Sequence, residues 1–207
     1  FYEVDTGKLV PKWAKDDGRP KTIFYWQEET EEGRCIVEEG GMKGAEEYGI
    51  KSLGREKFLP FTKDWTDLIL KTKAADAELV HGIMFPPDAM AIAKQMRELA
   101  YEPRIIMIKR GIDMYDAIRA VHPYWDGWIT VVPWNEDIPV AYTGEAMIYE
   151  KKYGYLPTIA SANNGWTQFE ILPQLIEFAG TFQDNDKLYK ALHSHTFQTS
   201  LGPMTFK

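Results

Sequence analysis

From Gly82 to Gly111 the chain reads GIMFPPDAMAIAKQMRELAYEPRIIMIKRG. Three textures follow one another. An apolar run ends at Phe85 and, with the residues before it, makes Glu78–Met84 (ELVHGIM) a buried strand. Pro87 suits the first turn of a helix, where a missing N–H costs nothing. Beyond it Ala89, Ile92, Ala93, Met96, Leu99 and Ala100 recur at helical spacing as one apolar stripe. Arg104–Ile108 (RIIMI) is a second short apolar run. Strand, amphipathic helix and strand in this order predict two parallel strands joined by a right-handed crossover.

The same alternation continues on either side. Thr22–Trp26 (TIFYW) is a β-branched and aromatic strand, and Glu32 to Tyr48 is helix-compatible although Gly40, Gly41 and Gly44 weaken it. Ile50–Leu59 holds a short strand. Asp64 is placed to cap a helix that carries Trp65, Leu68, Ile69 and Thr72 on one face. Gly127–Val132 (GWITVV) reads as a further strand. The expected fold class is α/β, with a doubly wound parallel sheet. After Pro133 the texture turns helical, over Val140 to Tyr153, Gly165 to Phe182, and from a cap at Asp184 to about Ser194. Thr199–Phe206 reads as a closing strand. The middle helix is apolar on two faces, with Phe169, Leu172, Ile176 and Ala179 on one and Ile171, Leu175 and Phe178 on the other. It asks for burial, and Pro173 in its middle predicts a kink.

Composition removes several classes of function. The 207 residues carry a net charge of −7, which offers no basic field to nucleic acid. No run approaches the roughly 18 apolar residues of a membrane span. Cys35 is the single cysteine, so there is no disulfide framework and no thiolate cluster. Its acidic neighbours do not suit a reactive thiolate. The histidines do not converge on a metal, since His193 and His195 diverge by about 200° on a helix. Phosphate loops of the GxGxxG or Walker type are absent, and so is a G-x-S-x-G elbow. The acidic run Gln27-Glu28-Glu29-Thr30-Glu31-Glu32 complements a helix dipole. No cofactor or metal is therefore expected. In an open α/β sheet, ligands bind outside the carboxyl ends of the strands. The loops there are Gln27–Thr30, Phe85–Asp88 and Lys109–Gly111, with Phe85 offering a flat apolar face and Arg110 a fork for an anion.

The stretch FTKDWTDLILKTKAADAELVHGIMFPPDAMAIAKQMRELAYEPRIIMIKRG resembles the second lobe of the type I periplasmic solute-binding proteins. It is most similar to those of the branched-chain amino acid (Leu/Ile/Val) ABC uptake family. The matching pieces are Asp64-Trp65-Thr66, Phe85-Pro86-Pro87-Asp88 and Lys94-Gln95-Met96-Arg97-Glu98-Leu99. AIRAVHPYWDGWITVVPW resembles the family's segment leading to the crossing between lobes, and DKLYKALHSHTFQTSLGPMTFK its closing helix and strand. Together these cover about residues 8 to 207.

The resemblance implies two α/β lobes that close on a small ligand. Residues 20–131 would form the second lobe, with 199–207 as its returning strand. Residues 1–19 and 133–198 would belong to, or pack on, a first lobe whose opening units precede Phe1. The chain is accordingly expected to be a processed or partial one, binding weakly or not at all by itself. The implied ligand contacts are Gln27, Thr30, Phe85, Arg110 and Gly111. Thr30-Glu31 stand where the family often has Tyr-Gly, and Phe85 lacks a tyrosine's hydroxyl. Arg110 stands where amino-acid binders carry an acid, and an ammonium at 4 Å would be repelled by about 1–4 kcal/mol. An organic or aromatic carboxylate is therefore favoured over a branched-chain amino acid. The implied partners are that ligand and the permease subunits of an ABC transporter, outside the cytoplasm, with no nucleic acid and no membrane insertion. The alternatives are a ligand-sensing receptor or regulatory domain of the same fold and an enzyme on a flavodoxin-like domain.

Overall fold

The computed structural model describes residues 2–113, 118–119, 122–132, 144–155, 157 and 165–206. They fall into two compact units, 1–131 and 132–207. In chain order the first unit contains α1 (Tyr2–Asp17), β1 (Thr22–Glu28) and a long helix α2. It continues with β2 (Lys51–Phe58), α3 (Thr66–Ala75), β3 (Leu79–Ile83), α4 (Pro86–Glu98), β4 (Ile105–Lys109) and β5 (Trp128–Ile129). Helix α2 runs through Glu31–Gly33, a π-helical stretch Arg34–Met42, and Lys43–Tyr48.

The five strands form one sheet in the order β2-β1-β3-β4-β5, every pairing parallel. Side chains alternate across it, as the pleat requires. Ile23, Tyr25, Leu79, Ile83 and Met107 face one layer with Val10, Ala14, Ile36 and Val37. Phe24, Trp26, Val80, Ile106 and Ile108 face the other with Trp65, Leu68, Ile69, Ile92 and Met96. The stripe expected on α4 is buried at Ala89, Ile92, Ala93 and Met96, whereas Leu99 caps the helix and Ala100 lies beyond it. Asp64 accepts from the Thr66 N–H at 2.9 Å, but it lies one residue ahead of the N-cap of α3, which is Trp65. The last strand is shorter than the GWITVV pattern predicts, with only Trp128–Ile129 paired to β4.

Helix α1 packs on α2 and supplies Val10 and Ala14 to this unit's core. Glycines make the crossing possible: a Cβ on Gly7 would sit 2.1 Å from the Ile36 carbonyl oxygen, and one on Gly40 2.4 Å from that of Val4. The glycines that weaken a helix reading of 32–48 are thus a close-packing surface.

The second unit contains α5 (Gly144–Tyr153), α6 (Thr167–Ala179), α7 (Asn185–Ser194), β6 (Thr196–Thr199) and β7 (Gly202–Thr205). The part of the first expected helix before Gly144 lies outside the described residues. Helix α6 runs through Pro173, and Asp184 caps α7 by accepting from the Lys187 N–H at 3.1 Å. The pattern over Thr199–Phe206 predicts a single returning strand. The structure makes an antiparallel hairpin of β6 and β7 instead, turning at Ser200-Leu201 and grouped with the helices. Side chains stitch it to α6: Gln174 donates to the Gln198 carbonyl at 2.8 Å and accepts from its N–H at 3.0 Å.

Candidate functional site

The order in which strands are added to the sheet reverses between β1 and β3, the topological switch where open α/β sheets hold ligands. The side chains that converge there come from four strand ends. Glu28, the last residue of β1, is fully buried. Arg110, just past β4, reaches it with Nη2 at 2.6 and 2.8 Å from its two carboxylate oxygens. Arg110 Nη1 donates to Glu32. The Arg110 guanidinium lies 3.8 Å from the centroid of the Phe85 ring, a cation–π contact. Phe61, from the loop after β2, stacks on Phe85 with centroids 5.4 Å apart and planes 10° from parallel.

Backbone conformation holds these groups in place. Arg110 has φ 67°, and the Gly111 N–H bonds to the Lys109 carbonyl at 2.8 Å, closing a tight three-residue turn. A left-handed backbone at a residue with a side chain costs about 1–2 kcal/mol. Phe61 is in the same region at φ 63°, its N–H donating at 3.0 Å to Asp88 Oδ2. Asp88 sits in the first turn of α4, almost fully buried, and burial raises its pKa above the usual carboxylate value. Asp113, beyond Arg110, is shifted the same way and for the same reason.

Of the residues that sequence singles out, three meet here. Thr30 donates to Glu28 Oε1 at 3.1 Å and caps α2 by accepting from the Gly33 N–H at 3.0 Å. Through Glu28 it joins Arg110 and Phe85. Gln27 faces the other layer, accepting from Arg55 at 3.0 Å and donating to Glu38 at 2.9 Å. That hydrogen bond, with a second from Lys57, lowers the Glu38 pKa to about 2. Gly111 is buried, and a Cβ there would stand 2.8 Å from the Ala89 methyl, so its smallness serves helix packing. Glu28, Glu32, Asp88 and Phe61 are additions. A buried partner for Arg110 is invisible in sequence, because the two residues are 82 positions apart. Phe61, between Pro60 and Thr62, carries no local signal beyond a turn.

Residues 6–207 match the model of the family described as periplasmic binding protein. The chain belongs to that family. Solved structures of periplasmic binding proteins show the same fold at low identity. One is a leucine-binding protein of Thermotoga maritima, 19% identical over 98% of this chain and 57% of that one, at a TM-score of 0.84. A solute-binding protein of an ABC transporter from R. palustris, in complex with benzoate, is 14% identical over 99% and 56% of the two chains, also at 0.84. A branched-chain amino acid ABC transporter ligand-binding protein of Burkholderia xenovorans is 18% identical over 96% and 52%, at 0.77. The chain thus spans little more than half the length of these relatives. Its five-stranded parallel sheet is that of the type I periplasmic binding protein fold. No described helix is long and apolar enough to cross a membrane.

Proposed function

We propose that this chain is the solute-binding component of an ABC uptake transporter, acting outside the cytoplasm and delivering its ligand to permease subunits without chemical change. Membership of a binding-protein family supports that role, and no cofactor enters it. We assign the sheet unit to the family's second lobe, with its ligand edge at the carboxyl ends of β1 to β4. The observation that carries this reading is the group of Glu28, Arg110, Phe85 and Phe61 at the switch between β1 and β3. Two of its members hold strained backbones, a cost that folds retain where geometry serves function.

The ligand we favour is a small aromatic carboxylate. The stacked Phe61 and Phe85 rings support the aromatic half, as do solved structures of the same fold with benzoate and with 3,4-dihydroxybenzoic acid. Support for the carboxylate half is narrower than the sequence suggests, because Glu28 and Glu32 already answer the Arg110 fork. What remains is its Nε–H, buried with no hydrogen-bond partner, and the half-buried Glu32, which an incoming anion can displace while Glu28 stays. A second reading rests on the excess of acids: Glu28, Glu32, Asp88 and Asp113 surround this edge, and together they favour a ligand ammonium, as a branched-chain amino acid would bring.

Thermal shift on the longest natural form of the protein separates the two. Benzoate-type acids should raise the melting temperature by mass action, and Arg110→Lys, which keeps the charge and loses the fork, should abolish the effect. Stabilisation by leucine and not by benzoate would establish the ammonium reading.

A further inference from the structure

We infer that Phe61 is the specificity-determining residue of this site, a plate held out for the flat face of an unsaturated ring, and that Asp88 is its positioning residue. The inference rests on the reading that the carboxyl edge of the sheet takes the ligand.

Phe61 combines three features that structural packing alone does not reconcile. Its backbone is left-handed, where glycine is at ease and an aromatic residue is rare. The residue is 57% exposed, so burial does not repay the strain. Yet both ends of the residue are fixed. The N–H is held at 3.0 Å by a carboxylate that is itself 1% exposed, and the ring lies parallel to Phe85. A surface loop that needed only a turn here would be better served by glycine. Phe61 supplies a rigid apolar plane at the carboxyl edge of the sheet, backed by Phe85, which has Arg110 over its own ring. Phe61 carries no charge of its own, so what it distinguishes is flatness, while a ligand carboxylate is left to Arg110. The chemical class selected is a planar, unsaturated ring, whatever polar group the ligand carries elsewhere. Stacking falls away when the partner ring is puckered, because the two planes can no longer lie face to face.

The test is calorimetric titration of the longest natural form with two matched pairs: benzoate against cyclohexanecarboxylate, and phenylalanine against leucine. The wild type should bind the aromatic member of at least one pair more tightly. Phe61→Leu should weaken that member roughly fivefold to tenfold and its aliphatic match by less than about twofold. Phe61→Gly, which suits the backbone, should keep or raise the melting temperature while losing the same preference, so a folding defect cannot imitate the result. Asp88→Ala should reduce the preference in the same direction. An unchanged aromatic-to-aliphatic ratio in Phe61→Leu overturns the inference, and if Phe85→Ala still weakens binding, the site itself stands. If Phe61→Leu, Phe85→Ala and Arg110→Lys all leave binding untouched, the ligand edge is misplaced and the inference falls with it. A wild type that prefers neither aromatic probe also overturns it.

Discussion

The two units bury their apolar residues very differently. In the first, every residue of β3 is buried, and Trp26, Trp65, Ile69 and Ile92 are at most 1% exposed. In the second, helix α6 buries only Thr167 among its residues, leaving Phe169 at 77% and Leu172 at 52% exposure. Both units contain amphipathic or apolar helices, but among the described residues only the first contains a sheet that offers its helices a flat apolar face. The second anchors its hairpin with one fully buried ring, Phe197 against Phe178 at 5.7 Å between centroids, and with polar stitches such as Glu170 accepting from the Ser200 N–H and hydroxyl at 3.0 Å. Apolar patterning in a sequence therefore reports what a helix needs, and topology decides whether this stretch of chain supplies it.

Substitutions can break or sharpen that contrast. The largest effect should come from Arg110→Ala, which strands the fully buried Glu28 carboxylate and should cost about 3–5 kcal/mol in denaturant unfolding. Replacing both partners with apolar or neutral residues of similar size, Arg110→Met with Glu28→Gln, should cost clearly less. A double variant as unstable as the single one would show that the pair contributes more than charge compensation. Next, Leu79→Ala in β3 should lose about 3 kcal/mol through the cavity it leaves.

An acid titration should reveal a comparable effect from His81, which is buried with Nδ1 bonded to the Met107 carbonyl at 3.1 Å. Burial lowers its pKa from 6.5 to about 4. The fold therefore resists a proton that the unfolded chain accepts. The stability this group contributes is complete above pH 6.5 and is lost as pH falls toward 4, amounting to about 3 kcal/mol at 1.36 kcal/mol per pH unit. Unfolding curves at pH 7 and pH 4.5 check this, and His81→Gln should flatten the difference. The smallest effect should be Leu172→Ala in α6, about 0.5 kcal/mol or less. A loss as large as that of Leu79→Ala would mean that Leu172 is covered in solution and would remove the contrast between the units.

Much of the sheet was legible in sequence because its strands are short apolar runs separated by a helix with a clean stripe. β1, β3, β4 and α4 follow from Thr22–Trp26, Glu78–Met84, Arg104–Ile108 and the Ala89-to-Met96 series. Helix α1 was not legible, since Gly7 and Pro11 argue locally against a helix that tertiary packing then imposes. The site was half legible. Topology brings Thr30, Phe85 and Arg110 to one edge, but pleat alternation turns Gln27 to the opposite layer. The charge of Arg110 looks free in sequence and is not, because its partner Glu28 ends a strand two positions away in the sheet.

The central place of β1 bears on how the chain is made. Within this sheet β1 is synthesised before the strands that flank it: β2 and β3 come later, and β3 is complete only at Ile83, 55 residues after Glu28. At usual rates of translation the run TIFYW therefore waits roughly 3–11 s without its second partner. During that interval its backbone groups and aromatic rings are open to any other extended chain. A holdase that shelters this one segment would protect the nascent protein at its most aggregation-prone point.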